Sequence, residues 1–182
     1  MTRTTLSRSV LPLLALLAIA YLVAMIVIGA QPVQRQLVKF KASGLMRMAP
    51  QSAERISLSR AGRQLVLVRA KGGGWTSDDG AVLGQAAPTH IETGLKMLHN
   101  SGPVREIEPH ELIGIDIGPF LLEDPAIRIE VAGGGETFTA RFGAINPEGF
   151  LQYMRVDGDQ RIYLMSRFIG AEWIAALEAV RR

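Results

Sequence analysis

GFLQYMRVDGDQRIYLMS, residues 149–166, alternates apolar and polar side chains on both sides of Asp157-Gly158. Asp-Gly between two alternating runs is a strong hairpin signal, because a two-residue type I′ turn needs positive φ at both central positions. That turn would pair Val156 with Asp159, Met154 with Arg161, Gln152 with Tyr163 and Phe150 with Met165. The opposite face would carry the pairs Tyr153/Ile162 and Leu151/Leu164, with Arg155/Gln160 near the tip. It is the more apolar of the two and is expected to meet the core. Gln152, Met154, Arg161 and Tyr163 are then left as a candidate partner surface, since Tyr, Met and Arg are enriched where proteins meet.

Outward from the hairpin, the same period-two pattern recurs. ERISLSR (54–60) and QLVLVRA (64–70) form one strand pair, and AIRIEVA (126–132) and ETFTARFG (136–143) another. VREIE (104–108) reads as a short strand followed by a compact loop. A helix is expected over His90–Asn100, with Thr89 as N-cap, Glu92 as its capping-box partner, and Ile91, Leu95 and Leu98 on one apolar face. Ile169, Trp173, Leu177 and Val180 fall near helical spacing in the last segment, whose C-terminal arginines suit the helix dipole. Strands joined by short Gly-rich turns and accompanied by two helices predict an α+β domain, a mostly antiparallel sheet with helices packed on it. Trp75, Trp173, Phe142 and Phe168 are expected in its core.

The other end of the chain is different in kind. VLPLLALLAIAYLVAMIVIGA, residues 10–30, carries no charge over 21 residues, and about 20 apolar residues suffice to cross a bilayer. A single-pass transmembrane helix is the expected reading. A cleavable signal peptide is the alternative, although its apolar core would exceed the usual length and Ile28 breaks the small-x-small cleavage pattern. Residues 1–9 would be a short tail and 31–50 a stalk, either amphipathic or solvated. In the amphipathic case Arg35, Lys39, Phe40 and Lys41 would meet the membrane interface. Residues 51–182 would form the extracytoplasmic domain of an inner-membrane protein, facing the periplasm and tied to lipid through residues 10–30.

Charge and motifs exclude more than they assign. Setting aside Arg3 and Arg8, 18 Lys+Arg remain against 17 Asp+Glu, too even a balance for phosphate-backbone binding, so no nucleic-acid partner is expected. The sequence has no Cys, hence no disulfide, thiolate metal site or Cys nucleophile. His90 and His99 lie on opposite sides of their helix and cannot share an ion. Asp78-Asp79-Gly80 lacks the later ligands of a calcium loop. Gly72-Gly73-Gly74 and Gly133-Gly134-Gly135 lie between strands rather than before a helix, which favours turns over phosphate cradles. Serine lacks a nucleophile-elbow context. Only Glu106, Glu108 and His110, alternating along one short segment, offer conceivable acid–base or metal chemistry, and Pro109 interrupts that alternation. No cofactor, metal or catalytic residue is therefore expected.

The strand pair ending before Trp75, the later Phe142-Gly143 strand, and the hairpin with Tyr153, Gly158 and Tyr163 together resemble the membrane-anchored domain-of-unknown-function 4340 family, over about residues 54–166. The resemblance implies a single-pass protein with an extracytoplasmic domain working beside multi-subunit membrane systems, and supplies no catalytic residues. The resulting expectation is a non-enzymatic accessory or assembly subunit acting through other protein subunits. The alternative is a binding or chaperone module that recognises a small ligand or client enzyme.

Overall fold

The computed structural model describes residues 10–30 and 43–181. The chain divides into two compact units, residues 1–40 and 41–182. The described part of the first is one helix, α1 (Val10–Ala30). Among the described residues no helix is long and apolar enough to cross a membrane. The side chains described on α1 run from residue 12 to 25, roughly 21 Å at 1.5 Å per residue, against a hydrocarbon core of about 30 Å. The expected single-pass transmembrane helix is thus corrected, and the inner-membrane localisation that rested on it falls with it. Arg35, Lys39, Phe40 and Lys41 lie outside the described residues.

The second unit is an antiparallel sheet with two helices on one face. Its strands are β1 (Arg55–Arg60), β2 (Arg63–Arg69), β3 (Trp75–Ser77), β5 (Arg105–Ile107), β6 (Ile127–Gly133), β7 (Glu136–Ile145), β8 (Leu151–Val156) and β9 (Ile162–Ser166). They are arranged in the order β3-β2-β1-β6-β7-β8-β9-β5. Helices α2 (Ala87–Asn100) and α3 (Arg167–Glu178) complete the α+β domain, and a two-stranded ribbon joins β4 (Val82–Leu83) to β10 (Val180–Arg181). The expected strand pairs form with tight turns. Arg60 pairs with Arg63 across Ala61-Gly62, and Gly133 with Glu136 across Gly134-Gly135. Both turns have positive φ at the two central residues, the type I′ requirement.

Alternation decides which face is covered. Ile56 and Leu58, Leu65 and Leu67, Ile127, Ile129 and Val131, Ala140 and Phe142 are buried on the helix side with Ile91, Leu95, Leu98 and Trp173. Helix α2 begins at Ala87 with Pro88 in its first turn and no side-chain cap, so proline rather than Thr89 sets its start. The last segment leaves helical form after Glu178 and pairs with β4. The domain also begins earlier than expected, because Gly44 and Met46 hydrogen-bond through their backbone N–H groups to the His99 and Leu98 carbonyls. Met46 and Met48 are core residues, so the end of the expected stalk belongs to the domain.

The helices meet at Gly94, where an added Cβ would lie 2.7 and 2.8 Å from carbons of the Trp173 ring. Ala is the better helix former by about 1 kcal/mol, but overpacking a filled core costs about 1–3 kcal/mol. Gly94→Ala is expected to lower unfolding free energy by about 1–2 kcal/mol in urea denaturation, whereas Gly72→Ala, with open space around its Cβ position, should leave the midpoint close to wild type.

Candidate functional site

The hairpin of residues 149–166 forms, but in another register. Met154 pairs with Tyr163, Tyr153 with Leu164, Gln152 with Met165 and Leu151 with Ser166, two residues from the alignment that a minimal Asp157-Gly158 turn dictates. The cause is Asp159. Its Oδ1 accepts the Arg161 backbone N–H at 3.0 Å and its Oδ2 the Tyr163 hydroxyl at 2.5 Å, so the side chain holds the return strand where backbone pairing would otherwise continue. A two-residue shift keeps every side chain on its face.

That face is the buried one. Gln152, Met154 and Tyr163 are 4, 0 and 1 % exposed, which corrects the candidate partner surface: three of its four members lie in the core. Gln152 donates its side-chain N–H to the Gly143 carbonyl at 2.9 Å, beside the register shift between Phe142 and Ile145. Gly170 gives it room, for a Cβ there would lie 2.2 Å from the Gln152 Oε1. Arg161 alone keeps partial exposure, held by Asp159 and by Glu106 at 2.7 Å. Its guanidinium also lies 5.3 Å from the centre of the Tyr163 ring.

The face expected to be core is covered too, by different means. Residues 108–125 fold back over β8, β9 and β5, where Ile107, Leu122 and Ile162 form a second small core with Leu112, Ile117, Phe120, Tyr153 and Leu164. Phe120 stacks on Tyr153 with centroids 4.1 Å apart. Close approach is possible because Gly143 lacks a Cβ, which would sit 2.0 Å from the Phe120 carbonyl oxygen. Two core expectations differ in outcome: Trp75, Trp173 and Phe142 are buried, while Phe168 is 60 % exposed.

The short acid–base cluster disperses. Glu106 sits on β5 opposite Tyr163 and pairs with Arg161. Glu108 and Glu111 form a capping box at the 3₁₀ turn Pro109–Leu112, and Arg105 lies 2.9 Å from Glu111. These hydrogen bonds, first that from the Glu108 backbone, hold the Glu111 carboxyl below its ordinary range. His110 is exposed. The helix histidines also have separate partners, His90 meeting Glu172 at 2.7 Å and His99 the Met46 carbonyl at 3.0 Å. Among the described residues no group of three or more His, Asp and Glu could hold a metal ion.

What the topology does assemble is a row of arginines. On the face away from the helices Arg128 is the cross-strand partner of Arg141, and Arg141 of Arg155, so three guanidinium groups lie side by side across β6, β7 and β8. Like charges directly opposite on a sheet repel. Asp157, at the hairpin tip, answers two of them, at 2.9 Å from Arg128 and 3.0 Å from Arg141. Glu123, on the folded-back segment, reaches Arg141 at 3.5 Å and Arg155 at 3.6 Å, contacts too long for strong hydrogen bonds. Arg155 is the least satisfied: its side chain is 21 % exposed and its Nε is buried without a hydrogen-bond partner.

Beside this row runs a groove of about 630 Å³, floored by Arg141, Arg155 and Val156, walled by Leu112, Ile115 and Ile117, and rimmed by residues 157–160. The signal for the row was present in the sequence as an arginine on each of three strands. It could be read only with the strand order and register. Comparison with family models, curated proteins and solved structures finds no match to this chain, and the geometry of the open face carries the functional reading alone.

The turn at Asp159 makes a pH prediction. Hydrogen bonds from Arg161, and then from Tyr163, hold its carboxyl well below the ordinary value of 3.8. Burial and the Asp159 carboxylate in turn push the Tyr163 hydroxyl up. A carboxylate depressed in the folded state stabilises fully above its unfolded pKa and loses that contribution as pH falls through the folded value. Asp159→Asn is expected to lower the urea midpoint at pH 7, with the gap to wild type narrowing only below about pH 4. An unchanged gap at pH 2 would contradict this account of the turn.

Proposed function

We propose that this domain is a non-enzymatic binding module whose working surface is the open face of its sheet, where the arginine row recognises an anionic group. The observation that carries this reading is the Arg128-Arg141-Arg155 row with an incompletely paired Arg155 at the base of a groove. The groove's volume falls within the range of roughly 300–1,000 Å³ usual for small-ligand sites. A planar guanidinium suits two-point recognition of carboxylate or phosphate. The separate structural partners of Glu106 and Glu108 support a binding role over acid–base catalysis.

Acting as an accessory subunit through protein contacts is the second reading. It is favoured by Ile145, Phe150 and Phe168, which are exposed around the end of the sheet where Phe150 accepts a backbone hydrogen bond from Arg167. Solvent-facing aromatics are where a partner gains most from burial.

NMR titration with acetate and with inorganic phosphate tests the first reading. Saturable shifts are expected at the amides of β6–β8 and at the Arg155 side chain, and Arg155→Gln should weaken binding about tenfold, on the order of a lost charge-assisted hydrogen bond. A linear drift with salt, identical in wild type and variant, would refute anion recognition.

A further inference from the structure

We propose that the groove binds an aliphatic monocarboxylate, with its head between Arg141 and Arg155, and that Glu123 occupies the place of that head when the groove is empty. The inference rests on the anion-binding reading above and specifies its ligand.

Charge sets the valence of the ligand. Three guanidinium groups face two carboxylates, Asp157 and Glu123. Asp159, also on the groove rim, is committed to Arg161 and Tyr163. The Asp157 carboxylate is fixed by contacts of 2.9 and 3.0 Å to Arg128 and Arg141. Glu123 differs in every respect: its side chain is 80 % exposed, and its two oxygens reach Arg141 and Arg155 separately at 3.5 and 3.6 Å. It bridges the two guanidinium groups as a ligand carboxylate would, but from too far to make good hydrogen bonds. A solvated side chain so loosely paired is displaced at small cost. An incoming monocarboxylate that replaces it leaves the charge balance unchanged and can approach closely enough to engage Arg155, whose Nε is without an acceptor. Inorganic phosphate could also meet the arginines, but would make no use of the groove's apolar side.

Shape and polarity set the rest of the ligand. The wall opposite the arginines is made by Leu112, Ile115 and Ile117, with Val156 in the floor, and Ile115 is more than half exposed. An aliphatic chain lying there would remove apolar surface from water at roughly 25 cal/mol per Å², a gain that neither acetate nor phosphate can make. A guanidinium floor facing an aliphatic wall therefore selects an anion with an alkyl body.

Isothermal titration of the full chain with sodium octanoate is the direct test, with octanol and inorganic phosphate in parallel. Octanoate should bind more tightly than phosphate, and octanol much more weakly than octanoate. Glu123→Gln removes the competing carboxylate from an exposed position and should tighten octanoate roughly fivefold, the scale of one surface ion pair. Arg155→Lys, which keeps the charge but loses the fork, should weaken it, with unchanged circular dichroism showing that the variant is folded. Unaltered or weaker octanoate binding in Glu123→Gln would overturn the displacement, and equal binding of octanol would overturn the role of the carboxylate. Phosphate binding as tightly as octanoate would overturn the ligand class while leaving anion recognition intact. No binding of octanoate, acetate or phosphate would remove the anion-binding reading itself.

Discussion

Trp173 against Gly94 is the contact on which the domain's architecture depends. Two helices can cover a wide sheet only if they lie side by side, and the indole of one fills the space that the missing side chain of the other leaves. Trp173 is fully buried, and its neighbours above and below on α3, Ile169 and Leu177, are buried with it. This pairing lets α2 and α3 act as one layer over the inward residues of β1, β2 and β6–β9. Its cost is visible in the indole Nε1, which is buried without a hydrogen-bond partner.

Coverage of one face by helices determines what the other face can become. On the β8–β9–β5 side, residues 108–125 supply a second, thinner cover that depends on Gly143 and on the Phe120–Tyr153 stack. Beyond the reach of that segment the outward residues of β1, β2, β6 and β7 are polar, among them Ser57, Ser59, Arg128, Glu130, Thr137 and Thr139. The arginine row and its groove lie at the border between these regions. One wall is apolar because the segment must bury its own inner side, and the floor is cationic because the sheet beneath is otherwise solvated.

Much of this fold was legible from residue periodicity. Strand pairs with Gly-containing turns and the apolar stripe Ile91, Leu95, Leu98 follow from spacing alone, and the structure has them where expected. The hairpin 149–166 was legible as a hairpin and illegible in register, because the hydrogen bonds of Asp159 to Arg161 and Tyr163 compete with the minimal turn that Asp-Gly suggests. Its faces were grouped correctly but the choice of core face failed. Gln152 looks too polar to bury until the carbonyl of Gly143 is seen to need a donor at an irregular point of the ladder. Met46 and Met48 were assigned to a stalk because no local pattern marks a segment that enters the core by pairing with the end of a helix. Glu106, Glu108 and His110 alternate in sequence, yet a 3₁₀ turn begins at Pro109 and separates them.

The candidate site was the least legible part, and the reason is topological. Arg128, Arg141 and Arg155 are separated in sequence and belong to three different strands, so no motif contains them. Each is unremarkable alone on a solvated strand position. Only a meander that brings β6, β7 and β8 together in the observed register makes them direct neighbours. Stability gives such a row no advantage, since three like charges repel and the carboxylates that answer them are themselves partly solvated. Threonine, which the same face carries at positions 137 and 139, fits a strand better. Where a sheet sets aside the local rule and leaves one guanidinium without a good acceptor, the imbalance is better explained by an anion that completes it than by folding.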